Sequence, residues 1–236
     1  MSGATKTVGV LGGMGPAATL DFFARVLAAS NAKRDSDHIR LIIDCNPHVP
    51  DRNAAVAGSG PSPAPALIAM ARGLKAAGAE LLVMPCNTAH AVFDEIKAAT
   101  DLPTISIIDV TVESLHNARP QPHSVGILAT TGCIDANLYQ TALAKFGIVP
   151  LVLQHAARDR FMQVLARIKS GDTGAGAKAE MIAVAQTLID AGAEAIIAAC
   201  TEVPLVLNPE DLSVPLINST DCLVHATIAA ARGDIE

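Results

Sequence analysis

"AGAELLVMPCNTAH" (residues 77–90) and "AGAEAIIAACTEVPLV" (residues 191–206) are two versions of one stretch. Ala77, Gly78, Glu80 and Cys86 return as Ala191, Gly192, Glu194 and Cys200, each 114 positions further on. Both copies are short apolar runs entered through a glycine and ended by a cysteine. A glycine just past a helical pattern is a C-terminal cap, and a brief apolar run bounded by such a signal suits a strand buried on both faces.

Working outward, "TVGVLGG" (7–13) is echoed by "SVGILAT" (124–130), with Gly9 and Gly126 separated by 117 positions. "LPTISIID" (102–109) is echoed by "VPLINSTD" (214–221), with Pro103 and Pro215 separated by 112. Three matched segments at nearly one offset indicate an internal duplication. In the first half, the pattern predicts strands over 7–13, 39–46, 80–86 and 103–109. Helices are expected over 16–31, 66–77, 88–99 and 110–118, with a Pro/Gly/Ser-rich loop over 47–65. The second half repeats this with strands over 124–130, 148–154, 194–200 and 214–220 and helices over 135–146, 157–169, 177–191 and 221–232. Strands alternating with helices form a parallel sheet covered on both faces. The fold class is therefore α/β, with two pseudo-symmetric doubly wound lobes. The proline-rich "NARPQPHS" (117–124) is the linker candidate, giving lobes of 1–118 and 119–236, with the last helix free to cross back.

Half of the 236 residues are hydrophobic and 17% are charged, which is ample material for buried cores. A net charge of -6, one Tyr, no Trp and no basic cluster argue against nucleic acid. Apolar runs break well before the ~18 residues of a membrane span, so no membrane partner is expected. The opening "MSGATKTVGVLGG" lacks the apolar core of a signal peptide, and the expected location is the cytoplasm. Five cysteines (45, 86, 133, 200, 222) show neither a CxxC pair nor zinc spacing, so they read as reduced thiols and no metal is expected.

Ligands of open parallel sheets bind beyond the carboxyl ends of the strands, where Cys86 and Cys200 stand. Each is followed by residues that can open a helix, and free N–H groups at a helix start favour thiolate. If the two lobes face each other, the two thiols reach one cleft from opposite sides. Two thiols flanking one carbon suit racemisation without a cofactor, in which one removes a proton and the other supplies a proton to the opposite face. His90, four residues after Cys86, is a candidate for tuning the thiolate. "GMGPAA" (13–18) has the GxGxxA form of a dinucleotide fingerprint, but the acidic partner would be Asp44, 29 residues after Gly15, and Pro16 removes one helix N–H. The dinucleotide reading of this turn is therefore weak.

"GVLGGMGPAAT", "VPDRNAA", "MPCNTAH", "GILATTGCI" and "CTEVPLVL", in this order from residue 8 to about 207, resemble the aspartate/glutamate racemase family. The likeness is closer to aspartate racemase and broad-specificity amino-acid racemase members than to glutamate racemase. The resemblance implies an enzyme with an active site in the cleft between the lobes, no pyridoxal phosphate or other cofactor, and Cys86 and Cys200 as alternating base and acid. It also implies that Asn87, Thr88, Thr130, Thr131 and Thr201 hold the α-carboxylate and amino group, and that Arg52 and Lys169 clamp a side-chain carboxylate. The likeness also explains the turn at 13–16, as glycines that let the backbone approach a small substrate with Met14 lining the cleft, and it implies a homodimer and a small amino-acid substrate. Two positions depart from the family: Asn53 stands where Thr is expected, and Glu202 stands where glutamate racemase-like sequences read His, within the substrate-binding set. Thr130 and Thr131 equally suit helix capping, and Lys169 equally suits a solvated helix end. The expected reaction is interconversion of L- and D-aspartate, with glutamate or a broader set beside it. A related isomerase or decarboxylase, or a two-lobed amino-acid-binding protein, is the alternative.

Overall fold

The computed structural model describes residues 5–234. The outer limits of the two expected lobes, residues 1 and 236, lie outside the described residues. Two compact units divide the chain: one runs to Val110 and includes the segment from Thr220 onward, the other is Thr111–Ser219. The sequence boundary at 118/119 falls further along, and the last helix goes with the first unit.

The first unit carries β1 (Val8–Gly12), α1 (Pro16–Ala29), β2 (Leu41–Cys45), α2 (Arg52–Val56), α3 (Ala64–Ala76), β3 (Leu81–Val83), α4 (Phe93–Ala99) and β4 (Thr104–Ile105), and α5 (Ile107–Asn117) leads out of it. The second carries β5 (Ser124–Leu128), α6 (Thr131–Asp135), α7 (Leu138–Ala144), β6 (Val149–Val152), α8 (His155–Lys169), α9 (Ala175–Asp190), β7 (Ala195–Ala198) and β8 (Leu216–Asn218), before α10 (Ser219–Arg232) returns to the first. Both sheets are wholly parallel and share one strand order, β2-β1-β3-β4 and β6-β5-β7-β8. The doubly wound α/β expectation and its internal repeat are thus both present in the fold.

The repeat extends to packing. β1 and β5 each place a glycine where a helix rests on the sheet. A Cβ at Gly9 would meet Leu82 Cδ2 at 2.8 Å and Leu74 Cβ at 3.2 Å; one at Gly126 would meet Ile196 Cδ1 at 2.6 Å and Leu188 Cβ at 2.9 Å. Leu74 and Leu188, like Leu82 and Ile196, are 114 positions apart. Each unit buries its own apolar cluster around these contacts, with Leu67, Leu74 and Leu82 in the first and Val184, Leu188 and Ile196 in the second.

Differences from the sequence expectation lie at element ends. The 80–86 run pairs only over Leu81–Val83, because "MPC" leaves the ladder in a tight turn where Cys86 N donates to Met84 O at 2.8 Å. The expected loop 47–65 contains α2, whose start is capped by Asp51 accepting from Ala54 N at 2.8 Å. The helix expected over 88–99 opens as a 3-10 turn, Thr88–Val92, before α4. The one expected over 135–146 is broken between α6 and α7 at Asn137, whose φ of 53° ends the helical path.

Filling the close helix–sheet approach has a definite cost. Gly126→Ala is expected to lower unfolding stability by about 1–3 kcal/mol through overpacking, with Gly9→Ala behaving alike. Gly73→Ala in α3, where a Cβ meets nothing within 4 Å, is expected to raise it by about 0.5–1 kcal/mol. Urea unfolding midpoints of the three variants check the contrast.

Candidate active site

β1, β3, β5 and β7 all end in loops that carry candidate residues. In the first unit, β1 runs into Gly13 at φ 92°, where a side chain would strike the backbone of Asn46. Only glycine allows this turn. Thr19 of α1 fixes the turn from behind, accepting from Gly13 N at 2.8 Å and donating to Gly15 O at 3.0 Å. Met14 is buried in the same cluster as Cys86 and Val49. Thr19 was missed in the sequence, where a threonine within a helical pattern carries no signal of a turn it supports from the next element.

Cys86 is buried, 6% exposed, and Asn87 and Thr88 beside it are buried polar residues. His90 stands one helical turn on. Its Nε2 accepts from Ile107 N at 3.1 Å, so Nδ1 carries the proton and donates to the Cys86 carbonyl at 2.9 Å. The ring stacks on Phe93 with centroids 4.9 Å apart. Burial pushes its pKa down to about 4, against the smaller raising effects of the Cys86 carbonyl and Asp109. With both nitrogens on backbone groups and the ring neutral, His90 ties the cysteine loop to the start of α5. It brings no positive charge to the sulfur near neutral pH. Arg52, the first residue of α2, directs Nη1 to the carbonyls of Val49 and Pro50 at 3.1 and 3.0 Å. The guanidinium is thereby oriented by its own loop, with further N–H groups beyond that nitrogen.

In the second unit, Thr130 caps α6 by accepting from Cys133 N at 3.3 Å, and Thr131 is the first residue of that helix. The capping role foreseen for Thr130 is therefore real. Cys200 lies beyond β7, 6% exposed, next to the buried Thr201 and Glu202. Its S–H donates to Glu202 Oε2 at 3.0 Å, and Thr201 Oγ1 donates to the same oxygen at 3.4 Å. Lys169, closing α8, brings Nζ to 3.9 Å from Glu202 Oε1. The chain after Cys200 turns into a 3-10 segment, Val203–Leu205, with Val203 N donating to Cys200 O at 3.0 Å. Cys200 therefore departs from the expectation of a thiol shifted toward thiolate. Burial first, and then the Glu202 carboxylate, push it well up from the ordinary thiol value, and Lys169 opposes them.

Met14, Arg52, Cys86, Asn87, Thr88 and His90 belong to the first unit, and Thr130, Thr131, Lys169, Cys200, Thr201 and Glu202 to the second. Among the described residues, no group of three or more His, Cys, Asp or Glu is arranged for a metal ion, and no helix is long and apolar enough to cross a membrane.

Each of the two parallel sheets thus has a buried cysteine beyond the end of the matching strand, β3 or β7. The sequence pattern of the Asp/Glu/Hydantoin racemase family matches residues 11–227, and the chain belongs to that family. Broad specificity amino-acid racemase RacX of Bacillus subtilis is 29% identical over 231 residues, 94% of this chain and 96% of that protein. The structure of Picrophilus torridus aspartate racemase superposes with a TM-score of 0.87 at 28% identity, covering 96% of this chain and 94% of that one. Glutamate racemase of Francisella tularensis, in complex with D-glutamate, shares the fold at a TM-score of 0.71 and 18% identity, covering 98% of this chain and 82% of that one. The protein is an amino-acid racemase, an isomerase of the pyridoxal-phosphate-independent kind.

The neutral His90 clamp has a pH signature. Its folded-state pKa lies below the unfolded value of about 6.5, so between these values the unfolded chain binds more protons and stability falls on acidification from pH ~6.5 toward pH 4. Unfolding midpoints across this range should drop in the native protein, and His90→Gln should flatten the dependence.

Proposed function

We propose that this racemase interconverts L- and D-aspartate, with Cys86 and Cys200 as the two acid/base groups. The carrying observation is the pair itself: two buried cysteines at the ends of corresponding strands, β3 and β7, each followed by short polar residues, Asn87-Thr88 and Thr201-Glu202. In this reading one thiolate takes the α-proton and the other thiol returns a proton to the opposite face, so the configuration inverts and the roles exchange. Asn87, Thr88, Thr130, Thr131 and Thr201 hold the α-carboxylate and amino group, and Met14 borders the substrate. These short hydroxyl and amide groups suit an anion pocket without a bulky cation. Arg52 and Lys169 receive the side-chain carboxylate, the first with part of its fork already oriented, the second as a point charge. Aspartate is supported by these two cations and by the likeness to the Picrophilus enzyme. A wider substrate set is supported by the likeness to the broad-specificity Bacillus protein. Thiol catalysis needs reduced cysteines, which suits the cytoplasm. A homodimer is the proposed assembly, to be checked by light scattering.

Chirality assays separate these readings. The native protein is expected to racemise L- and D-aspartate without pyridoxal phosphate, and Cys86→Ala and Cys200→Ala each to lose at least about a hundredfold in rate, the scale of one general acid or base. Arg52→Met should raise KM for aspartate far more than for alanine. Full activity in either cysteine variant would sink the two-thiol assignment.

A further inference from the structure

The two cysteines are matched in sequence position but not in company. Cys86 is followed by Asn-Thr-Ala-His, whose histidine holds the backbone. Cys200 is followed by Thr-Glu, whose carboxylate holds the sulfur. Glu202 is 2% exposed, a burial that carboxylates seldom show without a partner. Oε2 accepts the Cys200 S–H at 3.0 Å and the Thr201 hydroxyl at 3.4 Å. Oε1 is buried without a hydrogen bond, its nearest cation being Lys169 Nζ at 3.9 Å. A carboxylate this enclosed is a strong acceptor, and the donor nearest to it is the thiol.

We propose that Glu202 is a positioning residue that keeps the proton on Cys200 and aims its S–H, so that Cys200 is poised as the acid of the pair. The inference rests on the two-thiol reading given above. In the half-reaction that starts from this state, Cys86 thiolate takes the α-proton while Cys200 gives its own to the opposite face. That transfer leaves a Cys200 thiolate beside the Glu202 carboxylate, with Lys169 as the cation that offsets the pair. The reverse direction starts from this strained state, in which the thiolate is the stronger base, and it ends with the proton back on Cys200. One thiol proton leaves and one α-proton arrives in each turnover, so no other donor is required. Within the second unit, Glu202 and Lys169 are the charged groups acting on Cys200, the first favouring the thiol and the second the thiolate.

The test reads the thiols directly and does not need turnover. Protein labelled with carbon-13 at cysteine Cβ is titrated by NMR, with Cys200→Ser and Cys86→Ser assigning the signals. Glu202→Gln should move the Cys200 titration to lower pH and leave Cys86 in place. Lys169→Met should move Cys200 to higher pH, and Glu202→Asp should restore part of the native midpoint. Opposite shifts from neighbouring variants would not arise from a general loss of folding, which would move both cysteines together. A Cys200 midpoint unchanged in Glu202→Gln, or shifted upward, overturns the proposal. Racemase assays on the same samples separate the two claims: an inactive native protein with the expected titrations would fail the two-thiol reading alone.

Discussion

Everything in this chain depends on one constraint, the close seating of a helix on a parallel sheet at a glycine. Gly9 and Gly126 leave no room for a Cβ against Leu74 and Leu82 or against Leu188 and Ile196. That contact fixes α3 over β1 and β3, and α9 over β5 and β7, in the same way in both units. Because the strands are parallel, their carboxyl ends collect on one edge of each sheet, and the loops leaving them carry the candidate residues. Cys86 and Cys200 owe their corresponding positions to this repeat, not to any local motif of their own.

Within the shared frame, the two loops are stabilised differently. His90 joins the Cys86 carbonyl to the Ile107 amide, an arrangement that works only with a neutral ring and a fixed tautomer. Glu202 instead meets the Cys200 sulfur, with Lys169 beyond it. In the proposed two-thiol reaction, two mirror-related substrates meet nearly symmetric chemistry, yet each catalytic state needs one protonated and one deprotonated thiol. An identical pair of thiols would have no preference for which is which. The unequal tails, Asn-Thr-Ala-His against Thr-Glu, supply a physical basis for one.

Much of this was legible in the sequence because duplication doubles every signal. The 114-residue echo marked both cysteines and the repeated succession of strands and helices in the two halves. Boundaries were less legible: "MPC" reads as strand by apolarity, but it leaves the ladder where Cys86 N turns back to Met84 O. α2 lay hidden in a Pro/Gly/Ser-rich loop, since its formation depends on a single Asp51 cap. The role of His90 could be suspected from its spacing but not assigned, because its partner, the Ile107 amide, lies 17 residues away. Glu202 was visible only as a departure from a family pattern. That its carboxylate turns toward the thiol is a fact of side-chain geometry.

The most direct measurement of the two-thiol account is the isotope content at the α-carbon early in racemisation of L-aspartate in heavy water. The account predicts that the first D-aspartate formed carries deuterium, because its hydrogen comes from a solvent-exchanged thiol, while the remaining L-aspartate still carries protium. D-aspartate that retains the substrate's own hydrogen, or deuterium entering both enantiomers equally from the start, would point to a single base and contradict it.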